Sequence, residues 1–256
     1  MKKDRENMTL EISHLTGGYS GIPVIKDVNL TIASGEAIGL ICFYRGGEGI
    51  QFVDQRPGGA FCPPKAGKIT LNGINLAEKP AEFKKLVAYI PETPVIYPEL
   101  TLKEHLELTI LAYQLDPDKA WEKAKELLTM FRLADKLDWL PVHFSKGMQQ
   151  KVMIVAAFLT DAQLLVIDEP FTGLDPLAVA NFIGLIKEAQ ESGKEILMTT
   201  HVLADAQKAI KTYAILNQGT IEFTGSLDEI RDHYGLEASD SFDKLYQLLY
   251  QEQKNA

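Results

Sequence analysis

The chain has 256 residues, of which 46% are hydrophobic and 24% are charged, as expected for one large globular domain. No apolar run approaches the roughly 18 residues of a membrane span, and residues 1–6 are charged with no apolar stretch behind them, so neither a span nor a signal peptide is expected. The formal net charge of −9 argues against a general nucleic-acid surface, and the cysteines, Cys42 and Cys62, indicate a reducing compartment without a disulfide framework.

The hydrophobic pattern predicts an α/β fold. Alternating or continuous apolar residues predict strands, in chain order, at 10–15, 24–32, 37–41, 68–73, 87–90, 164–167, 195–200, 213–216 and 220–224. Helical periodicity predicts helices at 101–133, 152–159, 206–210 and 242–249. A turn-rich loop at 17–21 separates the first two strands, and a capping box of Thr101 with Glu104 begins the long helical section. The order indicates an α/β core with an antiparallel β region near the N-terminus and a helical insert.

Two carboxylates follow the apolar strand at 164–167. Asp168 and Glu169 come directly after it, at the edge of an open α/β sheet where ligands bind. A Mg²⁺–nucleotide site needs one carboxylate near the metal and a second that positions a water molecule. Taken alone, this pattern is equally compatible with a structural role.

The neighbouring segments make the pattern more specific. Residues 144–150 read F-S-K-G-M-Q-Q about 20 positions upstream, and His201 follows the predicted strand at 195–200. This order and spacing resemble the ATPase subunit of an ATP-binding-cassette (ABC) transporter over residues 8–225. The resemblance implies a P-loop NTPase-like ATPase domain at 8–225, a helical subdomain at about 95–160, and a C-terminal helical tail at 226–256. Residues 91–94 together with 144–148 look like the Ecs-type transporter ATPases of Gram-positive bacteria.

The resemblance assigns roles in hydrolysis to three residues. Asp168 would hold Mg²⁺ through water, and Glu169 would polarise the attacking water as a general base. His201 would reach the γ-phosphate of ATP, although a histidine considered in isolation is more often structural. ATP and Mg²⁺ are therefore the expected cofactors.

Residues 145–150 resemble the signature motif of the family, which binds the ATP held by a second subunit. Ser145 would hydrogen-bond the γ-phosphate, Gly147 would let the backbone approach it, and Gln149 would complete the motif at a helix N-terminus. Asp175, in a segment that resembles the D-loop, would contact the partner. The motif implies a head-to-tail dimer; the simpler interpretation of Ser145 is an ordinary helix N-cap.

Two loop residues complete the expected site. Tyr19 would stack on adenine, and otherwise it is one surface tyrosine among the nine in the chain. Glu92 lies where the family usually carries the Q-loop glutamine, so it would reach the metal; otherwise it is a solvated loop residue. Membrane-spanning permease subunits are expected to dock near residues 92–100.

The family pattern breaks at residues 42–65. The strand at 37–41 should run into a phosphate loop, G-x-x-x-x-G-K-[ST], and then a helix. Instead Glu48 lies among the glycines with no lysine, and the segment contains helix-breaking Pro57 and Pro63. The codons of residues 45–49, read one base later, can encode Gly-Ala-Gly-Lys. Two explanations stay open: a compensated frameshift, through a sequencing error or a real mutation, or a true variant without ATPase activity.

The sequence thus predicts an ATP-hydrolysing subunit at the cytoplasmic face of the plasma membrane, working with a second ATPase subunit and permease subunits and without a nucleic-acid partner. One alternative is a catalytically impaired subunit, favoured by the missing phosphate loop. The other is a soluble ABC protein acting on ribosomes or DNA. The single cassette and the acidic charge count against this second alternative.

Overall fold

The computed structural model describes residues 9–19, 22–43, 65–200, 203–237, 244–245 and 247. The strands are, in order, β1 (Thr9–Tyr19), β2 (Ile22–Ala33), β3 (Ala37–Phe43), β4 (Ala66–Leu71), β5 (Ile74–Asn75), β6 (Val87–Ile90), β7 (Leu164–Asp168), β8 (Glu195–Thr199), β9 (Thr212–Asn217) and β10 (Thr220–Gly225). The α-helices are α1 (Pro80–Lys85), α2 (Leu102–Ala112), α3 (Pro117–Met130), α4 (Lys146–Leu159), α5 (Pro176–Glu191), α6 (Leu203–Ala206) and α7 (Leu227–His233). Short 3-10 helices lie at Ala134–Lys136 and Pro141–His143. Within these residues no helix is both long and apolar enough to cross a membrane.

The strands form two sheets. The first is antiparallel, with the order β2-β1-β4-β5. The second has the order β10-β9-β3-β8-β7-β6, in which β9, β3, β8, β7 and β6 are parallel and β10 pairs antiparallel with β9. The predicted α/β class, with an antiparallel β region near the N-terminus, is confirmed.

The parallel sheet is buried on both faces. In β7, Leu165 and Ile167 pack into a cluster with the helices, whereas Leu164 and Val166 pack into a cluster with the antiparallel sheet. Because both faces are covered, the strand is apolar at every position from 164 to 167 instead of alternating. This burial gives the end of β7 a rigid support.

The helical section consists of two helices followed by α4. The predicted capping box at the start of α2 is confirmed, because Thr101 accepts from the Glu104 N–H and Glu104 accepts from the Thr101 N–H. The predicted helical section at 101–133 contains two helices, because α2 ends at Ala112 and α3 starts anew at Pro117, capped by Asp116. Proline has no N–H to donate to a preceding turn, so it suits the first turn of a helix and not its interior.

Two sequence predictions were wrong in their bounds. The loop at 17–21 is shorter, because β1 continues to Tyr19 and pairs with β2 through an irregular register. The helix predicted at 206–210 is α6 at Leu203–Ala206, after which the chain turns. The predicted helix at 242–249 lies largely outside the described residues, and the domain bounds 8–225, 95–160 and 226–256 stay predictions.

Candidate functional site

The carboxyl ends of the parallel strands β6, β7 and β8 lie side by side at one edge of the sheet. Ile90 of β6 lies opposite Ile167 of β7, and Asp168 lies opposite Thr199 of β8. Strands β3 and β8 are neighbours, but the chain leaves β3 toward β6 and leaves β8 toward β9, so their connections run in opposite directions along the sheet. Ligands of open α/β sheets bind in the crevice beside such a reversal.

Asp168 is a carboxylate at this edge whose two oxygens both accept hydrogen bonds. It is half-buried at the end of β7, and hydroxyl groups from the two neighbouring strands hold it. Thr199 Oγ1 donates a hydrogen bond to its Oδ1, and Tyr89 Oη donates to its Oδ2 at 3.3 Å. The carboxylate is thereby fixed in orientation while it remains an oxygen-rich acceptor.

Glu169 has a strained backbone. Its φ angle is 41°, in the left-handed region that a residue with a Cβ adopts only at a cost of about 1–3 kcal/mol. Its N–H donates to the Thr199 carbonyl at 3.1 Å, and this bond holds the turn in place. Such strain persists where the surrounding structure enforces it, and it is concentrated at functional sites.

The donors at this edge fit Mg²⁺ held together with a phosphate. Within the described part of the chain, no group of three His, Cys, Asp or Glu side chains could enclose a metal ion. Mg²⁺ usually takes one or two protein carboxylates and completes its shell with water and substrate phosphate oxygens, so a single carboxylate such as that of Asp168 could serve as its protein ligand. Glu92, exposed two residues beyond β6, lies after the adjacent strand at the same edge.

Several predicted site residues lie beyond the part of the chain that the structure describes. His201 and residues 44–64, where the phosphate loop is expected, lie outside the described residues. The Tyr19 backbone lies at the end of β1, opposite Ile22, and the Tyr19 side chain is not among those that the structure describes. The roles predicted for them therefore stay predictions.

The signature-like segment forms the N-terminus of α4. Ser145 is exposed and caps the helix, since its hydroxyl accepts from the Met148 N–H at 3.3 Å. The Gln149 amide points back into the chain and donates to the Pro141 carbonyl at 3.0 Å. This geometry is the N-cap that the sequence offers as the simpler interpretation, and the exposed serine remains available to a second molecule.

Gly147 and Gly173 bring the signature-like segment at 145–150 against the D-loop-like segment at 173–175 of the same chain. A Cβ built on Gly147 would clash with the Gly173 carbonyl oxygen and lie 3.1 Å from its carbonyl carbon. Both obstacles are backbone atoms, so they cannot move aside as a side-chain end can. Gly147 is therefore needed for this contact within the chain.

A salt bridge reinforces the same junction. Lys151 Nζ lies 2.5 Å from Asp175 Oδ2, and the lysine side chain is 11% exposed. Asp175 also caps α5 by accepting from the Ala178 N–H at 2.9 Å. The hydrogen bond from Lys151, followed by that from Ala178, lowers the pKa of the Asp175 carboxyl below its ordinary value.

Helix α4 also reaches the loop that carries Glu92. The fully buried Gln150 donates from Nε2 to the Pro91 carbonyl at 3.2 Å. Sequence reasoning missed Gln150 and Lys151, together with the hydroxyls of Tyr89 and Thr199. The sequence held a signal for each of them: Gln150 ends the signature-like segment, and Lys151 directly follows it. Tyr89 and Thr199 lie in the predicted strands that flank β7.

The sheet order and the carboxylates at the end of β7 define an α/β domain of the kind that binds its ligand at the carboxyl edge of a mostly parallel sheet. Residues 60–172 match the family model described as ABC transporter. The chain is 43% identical over 243 residues to the "ABC-type transporter ATP-binding protein EcsA" of Bacillus subtilis (strain 168), covering 95% of this chain and 97% of that protein. It is 37% identical to the "Uncharacterized ABC transporter ATP-binding protein YthP" of the same strain, covering 94% and 96%.

A solved structure gives the same result. The "Structure of ATP binding subunit of ABC transporter" superposes with a TM-score of 0.83 at 42% identity and covers 94% of this chain and 99% of that one. The chain belongs to the ABC transporter family. The predicted resemblance and the predicted ABC ATPase fold are therefore confirmed.

Proposed function

We propose that the chain is the ATP-binding and ATP-hydrolysing subunit that energises a membrane ABC transporter. The observation that carries the proposal is the end of β7, where two hydroxyl groups hold Asp168 and the strained Glu169 follows at the sheet edge. The relatives described above are named as ATP-binding proteins of ABC transporters, which supports the same function.

Each residue then has a distinct task. Asp168 would hold Mg²⁺, whose charge offsets that of the phosphates of ATP. Glu169 would accept a proton from the attacking water, and its fixed backbone would keep the carboxylate oriented toward that water. His201 would contact the γ-phosphate, Tyr19 would stack on the adenine, and Glu92 would approach the metal from the neighbouring strand.

The outward-facing end of α4 supports assembly as a dimer. Ser145 and Gly147 would contact the ATP held by a second subunit in a head-to-tail arrangement, with Asp175 beside them. Permease subunits would dock on the helical section near residues 92–100, where Val95 and Tyr97 are 39% and 43% exposed. The protein would thus act at the cytoplasmic face of the membrane.

The decisive experiment compares Glu169→Gln with Glu188→Gln, which changes an exposed carboxylate on α5 in the same way. Removal of a general base lowers kcat about 100-fold or more, so Glu169→Gln should lose hydrolysis while still binding ATP with Mg²⁺. Glu188→Gln should match the unaltered protein. Equal loss in both variants, or none in Glu169→Gln, would contradict the assignment.

A catalytically impaired subunit is the second candidate, because residues 42–65 lack the phosphate-loop lysine and the family match begins only at residue 60. Resequencing codons 42–66, with peptide mass spectrometry across the same residues, distinguishes the two. A corrected frame that restores G-x-x-x-x-G-K-[ST] supports an ordinary ATPase. If the peptides match residues 42–65, hydrolysis by the protein should be negligible, and ATP turnover must be measured with its partner subunit.

A further inference from the structure

The segment at 91–97 connects β6 to the turn before α2 and carries four exposed residues, one of which is Thr93. Glu92 lies near its start, and Val95 and Tyr97 lie toward its end. The segment contains no helix or strand, so its backbone groups need other partners. Gln150 supplies one at the start by donating to the Pro91 carbonyl at 3.2 Å.

His105 supplies a partner at the other end. It lies on α2 with only 6% of its surface exposed. The Tyr97 N–H donates to His105 Nε2 at 3.0 Å, and His105 Nδ1 lies 2.8 Å from the Thr101 carbonyl. The His105 and Tyr97 rings are also in contact, with centroids 5.8 Å apart.

These partners fix the chemical form of the imidazole. The Tyr97 amide can only donate, so Nε2 must be the acceptor. The Thr101 carbonyl can only accept, so Nδ1 must carry the proton. The ring is therefore neutral with its proton on Nδ1, and both nitrogens are paired inside the protein. One side chain thus joins the first turn of α2 to the 91–97 segment.

We infer that His105 is a positioning residue that holds the 91–97 segment, and with it Val95 and Tyr97, in the arrangement that the permease recognises. The simpler interpretation is that His105 only fills space in the core. An apolar residue would fill the same space, but it would leave the partly buried Tyr97 N–H without its acceptor in the protein. That the partner is a permease rests on the proposed function. The hydrogen bond between His105 and Tyr97 is independent of it.

Two substitutions separate the two nitrogens. Gln can place its Oε1 near the position of Nε2 and accept from the Tyr97 N–H. Asn can place its Nδ2 near the position of Nδ1 and donate to the Thr101 carbonyl, but it is too short to reach Tyr97. His105→Gln should therefore keep the segment in place, whereas His105→Asn should release it and keep only the contact with the Thr101 carbonyl.

The first measurement is amide hydrogen exchange at Tyr97, read by NMR on the full-length chain without any partner. We expect His105→Asn to exchange roughly five- to tenfold faster at Tyr97 than His105→Gln, as the loss of one hydrogen bond implies. In the unaltered protein, the ¹⁵N shifts of His105 should report the Nδ1-protonated neutral ring. Equal exchange in both variants, or a proton on Nε2, would overturn the inference.

The second measurement is rebinding to inside-out membrane vesicles, washed free of the subunit, from the cells that carry the gene. Unaltered protein and His105→Gln should bind alike, and His105→Asn should bind several-fold more weakly. Equal binding by His105→Asn would overturn the positioning role. If the unaltered protein does not bind at all, the proposed transporter function fails, while Tyr97 exchange still decides what His105 holds.

Discussion

Replacement of Gly147 by alanine tests the junction between α4 and the segment that follows β7. Alanine is favoured over glycine inside a helix by about 0.8–1 kcal/mol, so helix propensity alone predicts a more stable protein. The structure predicts the opposite, because the new Cβ would clash with the Gly173 carbonyl oxygen. An ordinary C···O contact is about 3.3 Å, so the two backbone segments would have to separate by on the order of 1 Å.

Such overpacking usually costs about 1–3 kcal/mol, and here the obstacle is backbone on both sides. The matched control is Gly184→Ala on α5, where an added Cβ would meet nothing within 4 Å. Gly184→Ala should therefore stabilise the protein by most of the roughly 0.8–1 kcal/mol by which a helix favours alanine over glycine, to within a few tenths of a kcal/mol. Because a change of 1 kcal/mol moves Tm by about 2–4 °C in a chain of this size, the two variants should shift in opposite directions by measurable amounts.

Urea unfolding followed by circular dichroism measures both variants against the unaltered protein. We expect the midpoint to fall for Gly147→Ala and to rise slightly for Gly184→Ala, with unchanged m-values. If Gly147→Ala unfolds at the same midpoint as Gly184→Ala, the two segments are not in contact, and the reasoning about this junction is wrong.

Three further predictions concern charge and packing. Lys151→Met removes the ion pair with Asp175, which lowers the pKa of that carboxyl in the folded protein. The pair therefore stabilises the folded state above about pH 4, and this stabilisation is lost as the pH falls through the folded-state pKa of Asp175. Unfolding between pH 3 and 7 should therefore depend less on pH in the variant than in the unaltered protein. Burial raises the pKa of Glu195 to about 7 from an ordinary value of 4.5, so the free energy of unfolding should decline as the pH rises across that interval. Glu195→Gln should remove the decline, and at about pH 8 the variant should be more stable than the unaltered protein by roughly 1–3 kcal/mol. A titration of Tm that declines equally in Glu195→Gln would contradict this. Gly39→Ala should destabilise the protein by about 1–3 kcal/mol, because the new Cβ would lie 2.5 Å from Cε1 of the fully buried Tyr213. A Tm at or above that of the unaltered protein would show that the Tyr213 ring can move aside.

The sequence by itself determined the order of the elements and the positions of most strands. An apolar run of four residues before Asp168 sufficed to predict β7, and the pair Thr101 and Glu104 sufficed to predict the start of α2. These patterns are local, since a strand or a helix start depends on residues only a few positions apart. Recognition of the family depended on the order of such local motifs along the chain.

Tertiary structure alone decided which groups surround those motifs. Tyr89 and Thr199 lie 79 and 31 positions from Asp168, and only the register of β6, β7 and β8 brings their hydroxyls to its carboxylate. Gly147 looks in sequence like a residue that lets a phosphate approach, whereas in the fold it also makes room for the Gly173 carbonyl. A local pattern carries no information about which distant backbone atom will lie against a residue, because the packing of whole elements sets that distance.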